Sequence, residues 1–378
     1  MRVMAGICTC TAICLIAVGQ VTGEQSPAKV DAATGSSVIK GRGKGPVKVF
    51  ILAGQSNMDG QADIKTIDYL GEDKKYGFLL KTFKPDGKNF VKREDVWVSY
   101  WDVNDILQTG FGGRKDYSKL GNRIGPEYGF GYYMGEALDE QVLLIKHGPG
   151  GQSLGINFRP PSAGVPPGKK PEDVGGQYRA LVGLVNDTLK NLKKNFPDYD
   201  EKAGYEIVGF VWFQGYNDLG TSKEEYGKNL VCLINDLRKE FKAPDMKVVV
   251  GVMGVNGVPN EGGKQAGIRG GHRFINTVPE FKGNAKAIET APLMDPKVVE
   301  LTAGGWLGLR DFKANPQTPE EKALLQRATS SQGYHYNGEG RFFVLLGKAF
   351  ADTMLDLMGK GNKVAEPRLN TFPAPMSK

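Results

Sequence analysis

Short apolar runs recur along the chain, and segments with a helical period separate most of them. The runs predict five strands: Val47–Leu52, Val142–Lys146, Ile207–Phe213, Lys247–Met253 and Ala285–Thr290. The segments Tyr178–Phe196 and Glu224–Phe241 predict helices, and Glu339–Met358 predicts a closing amphipathic helix. Alternation of this kind is typical of a mostly parallel sheet covered by helices on both faces. The pattern therefore predicts an α/β protein.

Two further stretches are rich in glycine, proline and aromatic residues, namely Asp86–Arg123 and Asn157–Val174. We expect them to be long loops over one edge of the sheet. No internal repeat or linker divides the chain, so residues 45–360 are predicted to form one domain, followed by a tail at 361–378.

The amino-terminal segment differs from the rest. Arg2 precedes an apolar run, Val3–Val18, and small residues follow it, so residues 1–23 are predicted to be a secretory signal peptide. A retained anchor is the alternative, although the run is short for a bilayer span. The polar residues 24–44 are interpreted as a flexible leader. These features predict a secreted or periplasmic protein with no stable membrane anchor after cleavage.

Composition narrows the possibilities a little further. The 378 residues include 52 Gly and 21 Pro, which favours many loops around a sheet over a helical bundle. The net charge of +7 is spread along the chain without a basic stripe, so we expect no nucleic-acid partner. Cleavage of the signal peptide would leave Cys232 as the remaining cysteine and exclude an internal disulfide.

Three predicted strands end in polar, glycine-rich turns, at Gly54–Asn57, Gly150–Ser153 and Gly215–Asp218. The carboxyl ends of parallel strands share one edge of a sheet, so these turns are expected to converge. The segment Gly333–Gly338 adds a histidine, His335, just before the closing helix. The sequence therefore predicts a polar site at this edge.

The residue types at this edge suit acyl transfer, which needs a nucleophile, a base and donors for an oxyanion. Ser56 is the candidate nucleophile and His335 the candidate base. The N–H groups of Ser56 and Gly151 and the side-chain amide of Asn217 are the candidate oxyanion donors. The simpler alternatives are a helix-capping Ser56, a packed His335 and an ordinary turn at Asn217.

The motifs resemble those of the SGNH (GDSL-like) hydrolases, in the branch of sialate O-acetylesterases and carbohydrate esterase family 6 acetyl xylan esterases. The resemblance rests on the GQSNM block at Gly54–Met58, the blocks Gly150–Ser153 and Gly215–Asp218, and Gly125–Phe130. It spans roughly Val47 to Met358. The resemblance implies a three-layer α/β/α fold with a flavodoxin-like five-stranded sheet. It also implies hydrolysis of O-acetyl esters on sugars without a metal or cofactor.

The last block departs from this family, which usually has an aspartate three residues before the catalytic histidine. Here Gln332 occupies that position, and glutamine cannot carry the charge that stabilises an imidazolium. Another acid could take the role, with Asp311, Asp218 and Glu339 as candidates. Alternatively, a carbonyl orients the histidine in a Ser-His dyad, or activity is weak or lost. The triad acid therefore stays unknown from the sequence.

Other polar residues near the motifs are given lesser roles. Gln55, Glu127 and Asp218 are possible substrate-binding or supporting residues, and Glu127 has local capping or pairing as its alternative. His147 is interpreted as structural, and His272 as solvated.

Among the tryptophans, Trp212 is predicted to lie in the core. Trp101 and Trp306 could stack on sugars or simply pack, and neither is assigned a role.

Three functions remain open at this stage. The first is a serine esterase that releases acetate from an acetylated saccharide through an acetyl-Ser56 intermediate. The second is a catalytically impaired, carbohydrate-binding relative that lacks the triad acid. The third, another SGNH activity such as a lipase or thioesterase, is disfavoured because no long apolar run lines the loops. The sugar could be xylan, sialic acid or a sulfated or other algal polysaccharide.

Overall fold

The computed structural model describes residues 38–39, 45–113, 115–258, 262–302 and 318–370. The predicted signal peptide, most of the predicted leader, Trp306 and Asp311 lie outside the described residues. Within the described part, no helix is long and apolar enough to cross a membrane.

Ten strands are formed by the described residues. They are β1 (Val38–Ile39), β2 (Val47–Gly54), β3 (Ala62–Asp63), β4 (Lys92–Tyr100), β5 (Val103–Leu107), β6 (Arg123–Ile124), β7 (Val142–His147), β8 (Tyr205–Phe213), β9 (Lys247–Val252) and β10 (Ala285–Glu289). The main sheet has the order β1-β4-β7-β2-β8-β9-β10, and β5 pairs antiparallel with β4 at one side. All neighbours along that order are parallel. The α/β class predicted from the sequence is thus confirmed.

The α-helices of the described residues are α1 (Ser56–Asp59), α2 (Leu80–Phe83), α3 (Pro126–Ala137), α4 (Gly176–Lys190), α5 (Leu192–Asn195), α6 (Lys223–Glu240), α7 (Ala266–Phe274), α8 (Pro296–Thr302), α9 (Pro319–Ala328) and α10 (Gly340–Leu357). Helix α10 packs against α3, and α6 packs against α7. The predicted closing helix is present, but it is buried almost all round rather than amphipathic.

Helices cover both faces of the central sheet, as two consecutive residues of β8 demonstrate. Phe213 packs edge-on against Phe350 of α10, with ring centroids 5.7 Å apart. The indole Nε1–H of Trp212, which is fully buried as predicted, donates to the hydroxyl of Tyr226 on α6. Successive side chains of a strand point to opposite faces, so α10 and α6 lie on different sides of the sheet.

Among the described residues, the main sheet has more strands than the five expected from the sequence. Numbered along the chain, the five strands predicted from the sequence (β2, β7, β8, β9 and β10) run 2-1-3-4-5 across the sheet, which is the flavodoxin order. The difference is that β4 extends the sheet beyond β7. The additional strands β4 and β5 lie in the predicted loop Asp86–Arg123. The sequence did not indicate β4, because it contains the charged residues Arg93 and Asp95. A buried ion pair of 2.6 Å between them lets both side chains occupy the interior of the strand.

A second difference concerns the predicted flexible leader. Val38 and Ile39 pair in parallel register with Lys92 and Arg93 of β4. These two residues therefore form an edge strand and are not part of a flexible leader.

Candidate active site

Ser56 begins α1, one residue after the end of β2, at the carboxyl edge of the sheet. Gly54 makes the turn possible, because a Cβ at this position would collide with the Phe213 carbonyl at the end of β8. The two strand ends therefore approach closely only with glycine here. Ser56 is half-buried in this turn, so part of the residue is open to solvent.

His335 lies in the turn Gly333–Gly338, and its Nε2 is 3.0 Å from Oγ of Ser56. The next two residues, Tyr336 and Asn337, have φ of 51° and 55°. Such left-handed backbone is unfavourable for a bulky side chain and persists only where the surroundings fix it. The structure thus brings the predicted nucleophile and base into hydrogen-bond contact on a strained turn.

Three contacts hold this turn. Asn57 Nδ2 donates to the Tyr334 carbonyl oxygen at 3.0 Å, which ties the histidine turn to the serine turn. Tyr336 is fully buried, and its hydroxyl accepts a hydrogen bond of 3.0 Å from the Gly254 amide. The ring of Tyr336 also stacks on Phe342, with centroids 4.1 Å apart. These contacts fix the backbone on both sides of the histidine.

The other ring nitrogen of His335, Nδ1, lies 3.0 Å from Oγ of Ser331. For Nε2 to accept a proton from Ser56, Nδ1 must carry hydrogen and donate to Ser331. Gln332, at the position usual for the acid, is exposed, and its backbone carbonyl accepts from the His335 amide at 2.9 Å. A serine hydroxyl therefore takes the place where an acid would orient the imidazole.

None of the described acid candidates bonds to His335. Both carboxylate oxygens of Asp218 accept backbone amides, from Leu154 and Gly155. Glu339 is fully buried and accepts from Asn337 at 3.3 Å. The third candidate, Asp311, lies outside the described residues.

Burial, with a smaller contribution from the nearby positive charge of Arg123, lowers the pKa of His335 to about 4. The imidazole is therefore neutral at pH 7, as a general base must be. Arg123 donates to Gln61 at 2.6 Å, and Gln61 in turn donates to Asp59 at 3.0 Å. Asp59 also accepts from the hydroxyl of Tyr100. This series of hydrogen bonds holds the Arg123 guanidinium near His335.

Gln55 and Asp218 join the turns through Gln214. Nε2 of Gln214 donates to Gln55 at 3.1 Å, to the Gln152 carbonyl at 2.9 Å and to Asp218 at 2.7 Å. Asp218 then accepts the amides of Leu154 and Gly155, both at 2.8 Å. The predicted turns do converge, and buried side chains bind them to one another. Gln55 and Asp218 act here as supports of the turns.

The predicted oxyanion donors differ in their surroundings. Gly151 is exposed with φ of 72°, and a Cβ added at this position would meet no atom within 4 Å. Within the described residues, the amides of Ser56 and Gly151 donate to no other group. Asn217 is exposed in the turn Tyr216–Asp218 and forms no hydrogen bond to Ser56 or His335 there. The two amides are therefore free to bind an anion.

Glu127 lies away from the cleft surface, at the start of α3. It is fully buried, its Oε2 lies 2.7 Å from Nζ of Lys146, and its Oε1 accepts the Gly125 amide at 2.9 Å. Nζ of Lys146 also donates to the carbonyls of Asp59 and Phe111. Glu127 thus caps and pairs locally, which was the alternative given for it.

The two remaining histidines are buried. His147, at the end of β7, bonds through Nε2 to Gln177 at 2.9 Å, and burial lowers its pKa to about 4. The solvated position expected for His272 is wrong, because this residue is fully buried. Its Nε2 lies 2.7 Å from the Gln214 carbonyl and 3.1 Å from the Tyr226 hydroxyl. The glycine-rich helix α7 packs tightly on α6, which explains the burial.

A small pocket opens beside the serine turn and is lined by Gln55, Asn57, Phe213, Gln214, Gly215, Tyr216, Met253 and Tyr336. Among the described residues, no group of three or more His, Cys, Asp or Glu side chains is placed to hold a metal ion.

Ser331 and Arg123 are the site residues that the sequence did not indicate. Ser331 is four residues before His335 and belongs to no recognised block, while Arg123 lies in what was predicted to be a loop. No signal in the sequence pointed to either residue.

The fold and the site define an α/β protein with a serine–histidine pair at the carboxyl edge of a parallel sheet. Residues 46–280 match the family described as carbohydrate esterase, sialic acid-specific acetylesterase. The chain belongs to this family. No curated protein matches the chain.

Three solved structures are similar at low identity. A protein from Arabidopsis thaliana is 17% identical, with 82% of this chain and 98% of that chain covered and a TM-score of 0.47. NanS is 12% identical, with 84% of this chain and 99% of NanS covered and a TM-score of 0.46. A carbohydrate acetylesterase from Xanthomonas citri is 11% identical, with 66% of this chain and 51% of that chain covered and a TM-score of 0.39.

Proposed function

We propose that this protein is a serine esterase of the SGNH type that removes O-acetyl groups from carbohydrate. The observation that carries the proposal is the 3.0 Å contact between Oγ of Ser56 and Nε2 of His335. Membership of the acetylesterase family supports the carbohydrate substrate. The predicted signal peptide supports action outside the cytoplasm, in the periplasm or beyond the cell.

In the first step, Oγ of Ser56 attacks the acetyl carbonyl carbon while Nε2 of His335 takes the hydroxyl proton. The resulting imidazolium is stabilised by its Nδ1–H bond to Ser331, a neutral acceptor 3.0 Å away. When the tetrahedral intermediate collapses, the bond to the sugar oxygen breaks and His335 returns the proton to that oxygen. Acetyl-Ser56 and a free sugar hydroxyl remain.

The oxyanion of this intermediate is assigned to the amides of Ser56 and Gly151 and to the side chain of Asn217. The two amides have no competing acceptor among the described residues. Asn217 directly precedes Asp218, whose bonds to Leu154 and Gly155 fix the glycine turn relative to the asparagine turn. Donors held before the reaction begins stabilise developing charge without a reorganisation cost.

Hydrolysis of the acetyl-enzyme completes the cycle. Water attacks the acetyl carbon, Nε2 of His335 accepts a water proton, and the same donors hold the second oxyanion. Collapse breaks the bond to Ser56, which regains a proton from the imidazolium, and acetate leaves. The small pocket lined by Asn57 and Tyr216 suits a short acyl group better than a lipid chain.

Acetate release tests the proposal. Wild type and Ser56→Ala are compared on acetylated xylan and on O-acetylated sialic acid, with the exposed Ser162→Ala as the matched control. We expect release by wild type and Ser162→Ala, and loss to background in Ser56→Ala. Equal release by Ser56→Ala would exclude the serine mechanism. The two substrates also decide between xylan and sialic acid as the sugar.

The neutral Ser331 favours a second candidate, a carbohydrate-binding relative with impaired catalysis, because no described carboxylate bonds to His335. This candidate predicts saccharide binding by folded wild type with no acetate release from either substrate. Labelling of Ser56 by an organophosphonate separates the two candidates, because only an activated serine reacts rapidly.

A further inference from the structure

Trp101 lies in the tight turn between β4 and β5, at the same sheet edge as the serine turn. Strands β4, β7 and β2 are parallel neighbours, so their carboxyl ends lie side by side. The ring of Trp101 is 6.3 Å from that of His147, and His147 is in register with Ala53 of β2. Trp101 is therefore about two strand spacings, or ~10 Å, from the end of β2.

Two observations set Trp101 apart from a packed tryptophan. It has φ of 52°, a left-handed conformation that is a genuine outlier for a bulky residue. It is also 40% exposed, although a folded chain normally buries this side chain more completely. Stability alone would favour Gly or Asn in this turn. Strained backbone that holds an aromatic ring at the surface points to a binding role.

Neighbouring aromatic residues support the ring from the protein side. Tyr117 lies 4.9 Å away with an interplanar angle of 46°, and Tyr100 lies 5.9 Å away. The buried His147, which bonds to Gln177, ends β7, the strand that lies between β4 and β2. The indole is thus held in place with part of its surface left to solvent.

We propose that Trp101 is a platform for a pyranose ring next to the sugar residue that carries the acetyl group. The proposal rests on the carbohydrate esterase function proposed above. An indole face carries negative π density, and the C–H face of a sugar ring is apolar and weakly positive, so the two surfaces are complementary. The ends of β4 and β2 are ~10 Å apart, which is wider than one sugar ring. The substrate is therefore an oligosaccharide or polysaccharide rather than a monosaccharide.

The test compares Trp101→Asn with wild type, because Asn tolerates a positive φ while removing the ring. Phe78→Ser, at another exposed aromatic, is the matched control. The substrates are 4-nitrophenyl acetate, which carries no sugar, and acetylated xylotetraose or acetylated sialyllactose. We expect Trp101→Asn to keep wild-type turnover of 4-nitrophenyl acetate and to raise KM for the acetylated oligosaccharide about tenfold, as the loss of an aromatic stacking contact implies.

An equal loss of kcat/KM on 4-nitrophenyl acetate and on the acetylated oligosaccharide would assign Trp101 a structural role and overturn the proposal. An unchanged KM for both oligosaccharides would overturn it as well. If Trp101→Asn fails to fold, Trp101→Gly, which is unstrained at this φ, replaces it.

A binding measurement separates this proposal from the esterase function. Calorimetry with deacetylated xylotetraose and with sialyllactose compares Ser56→Ala with Ser56→Ala/Trp101→Asn. Binding that the second variant loses supports the platform even if wild type releases no acetate. Absence of binding to both saccharides, or equal binding by the two variants, rejects it.

Discussion

The hydroxyl of Ser331 lies 3.0 Å from Nδ1 of His335, while Nε2 of the same ring lies 3.0 Å from Ser56. A neutral acceptor thus orients the imidazole at the place that a carboxylate holds in a Ser-His-Asp triad. The contact fixes the tautomer but supplies no negative charge to the imidazolium. Orientation and charge stabilisation, which a triad acid combines, are therefore separated in this protein.

Replacement of Ser331 measures how much the orientation of the His335 ring contributes to kcat. We expect Ser331→Ala to lower kcat on 4-nitrophenyl acetate about fivefold to tenfold, because a neutral hydrogen bond contributes ~1 kcal/mol. Gln332→Ala is the matched control, since that side chain is exposed and does not bond to His335. Equal losses in the two variants would contradict the role of Ser331.

Ser331→Asp adds the missing charge at the same place. A carboxylate beside Nδ1 stabilises the imidazolium, so we expect the pKa of His335 to rise and kcat near pH 7 to increase. The pH dependence of kcat/KM reports the first effect and initial rates the second. A variant with wild-type rate and an unchanged acid limb would show that position 331 does not face the imidazole in solution.

The fall of wild-type kcat/KM at low pH, the acid limb of its pH profile, is the subject of a separate prediction. Burial lowers the pKa of His335 to about 4, and Arg123 contributes to the shift. The base is neutral above that value, so kcat/KM is expected to stay high from pH 7 down to pH 5 and to fall near pH 4. Arg123→Gln should move the limb upward but not to the ordinary value of about 6.5, because burial remains. A limb near 6.5 in wild type would contradict the buried geometry.

The convergence of the site could be predicted from the sequence for a simple reason. Apolar runs that end in Gly54–Asn57 and Gly150–Ser153 identify parallel strands, and parallel strands end at one edge. Glycine in these turns marks close approaches of backbone, as the contact of Gly54 with Phe213 shows. The local sequence pattern and the parallel topology were sufficient to predict that these turns converge.

Other features depend on contacts that no local pattern records. Strand β4 was missed because Arg93 and Asp95 satisfy each other's charge inside the sheet. Burial of His272 depends on the packing of α7 against α6, which a glycine-rich, arginine-flanked sequence does not indicate. Ser331 reaches His335 in a turn where the Ser331 amide donates to the Asn337 carbonyl at 3.0 Å and Asn337 has a left-handed backbone. Each of these is a long-range or conformational effect.

Asp218 is predicted to support the oxyanion donors. In Asp218→Asn, one of the two amides now bound, from Leu154 or Gly155, would face an N–H group instead of an acceptor. We expect kcat to fall about 10- to 100-fold with little change in KM, as displaced oxyanion donors act on the transition state. Unfolding should also become easier by ~1–3 kcal/mol.

The exposed Asp187→Asn on α4 serves as the control for this substitution. Steady-state kinetics and urea unfolding provide both readouts. Loss of stability without loss of kcat would restrict Asp218 to a structural role.

Glu339 is predicted to lower the stability of the folded protein as pH rises. Burial raises its pKa to about 8, and the negative charge of Asp295 contributes to this shift. Below the ordinary value near 4.5 the carboxyl group is protonated in both folded and unfolded chains. Above it, the unfolded chain ionises first, so stability declines until the folded group ionises near pH 8.

Glu339→Gln removes this decline, because the amide stays neutral and its oxygen keeps the bond to Asn337. The free energy of unfolding of the variant should therefore exceed that of wild type by an amount that grows from pH 5 to pH 8. Urea unfolding at pH 5, 6.5 and 8 measures the difference, with the exposed Glu280→Gln as control. A difference that is constant with pH would mean that Glu339 ionises at its ordinary pKa in the folded protein.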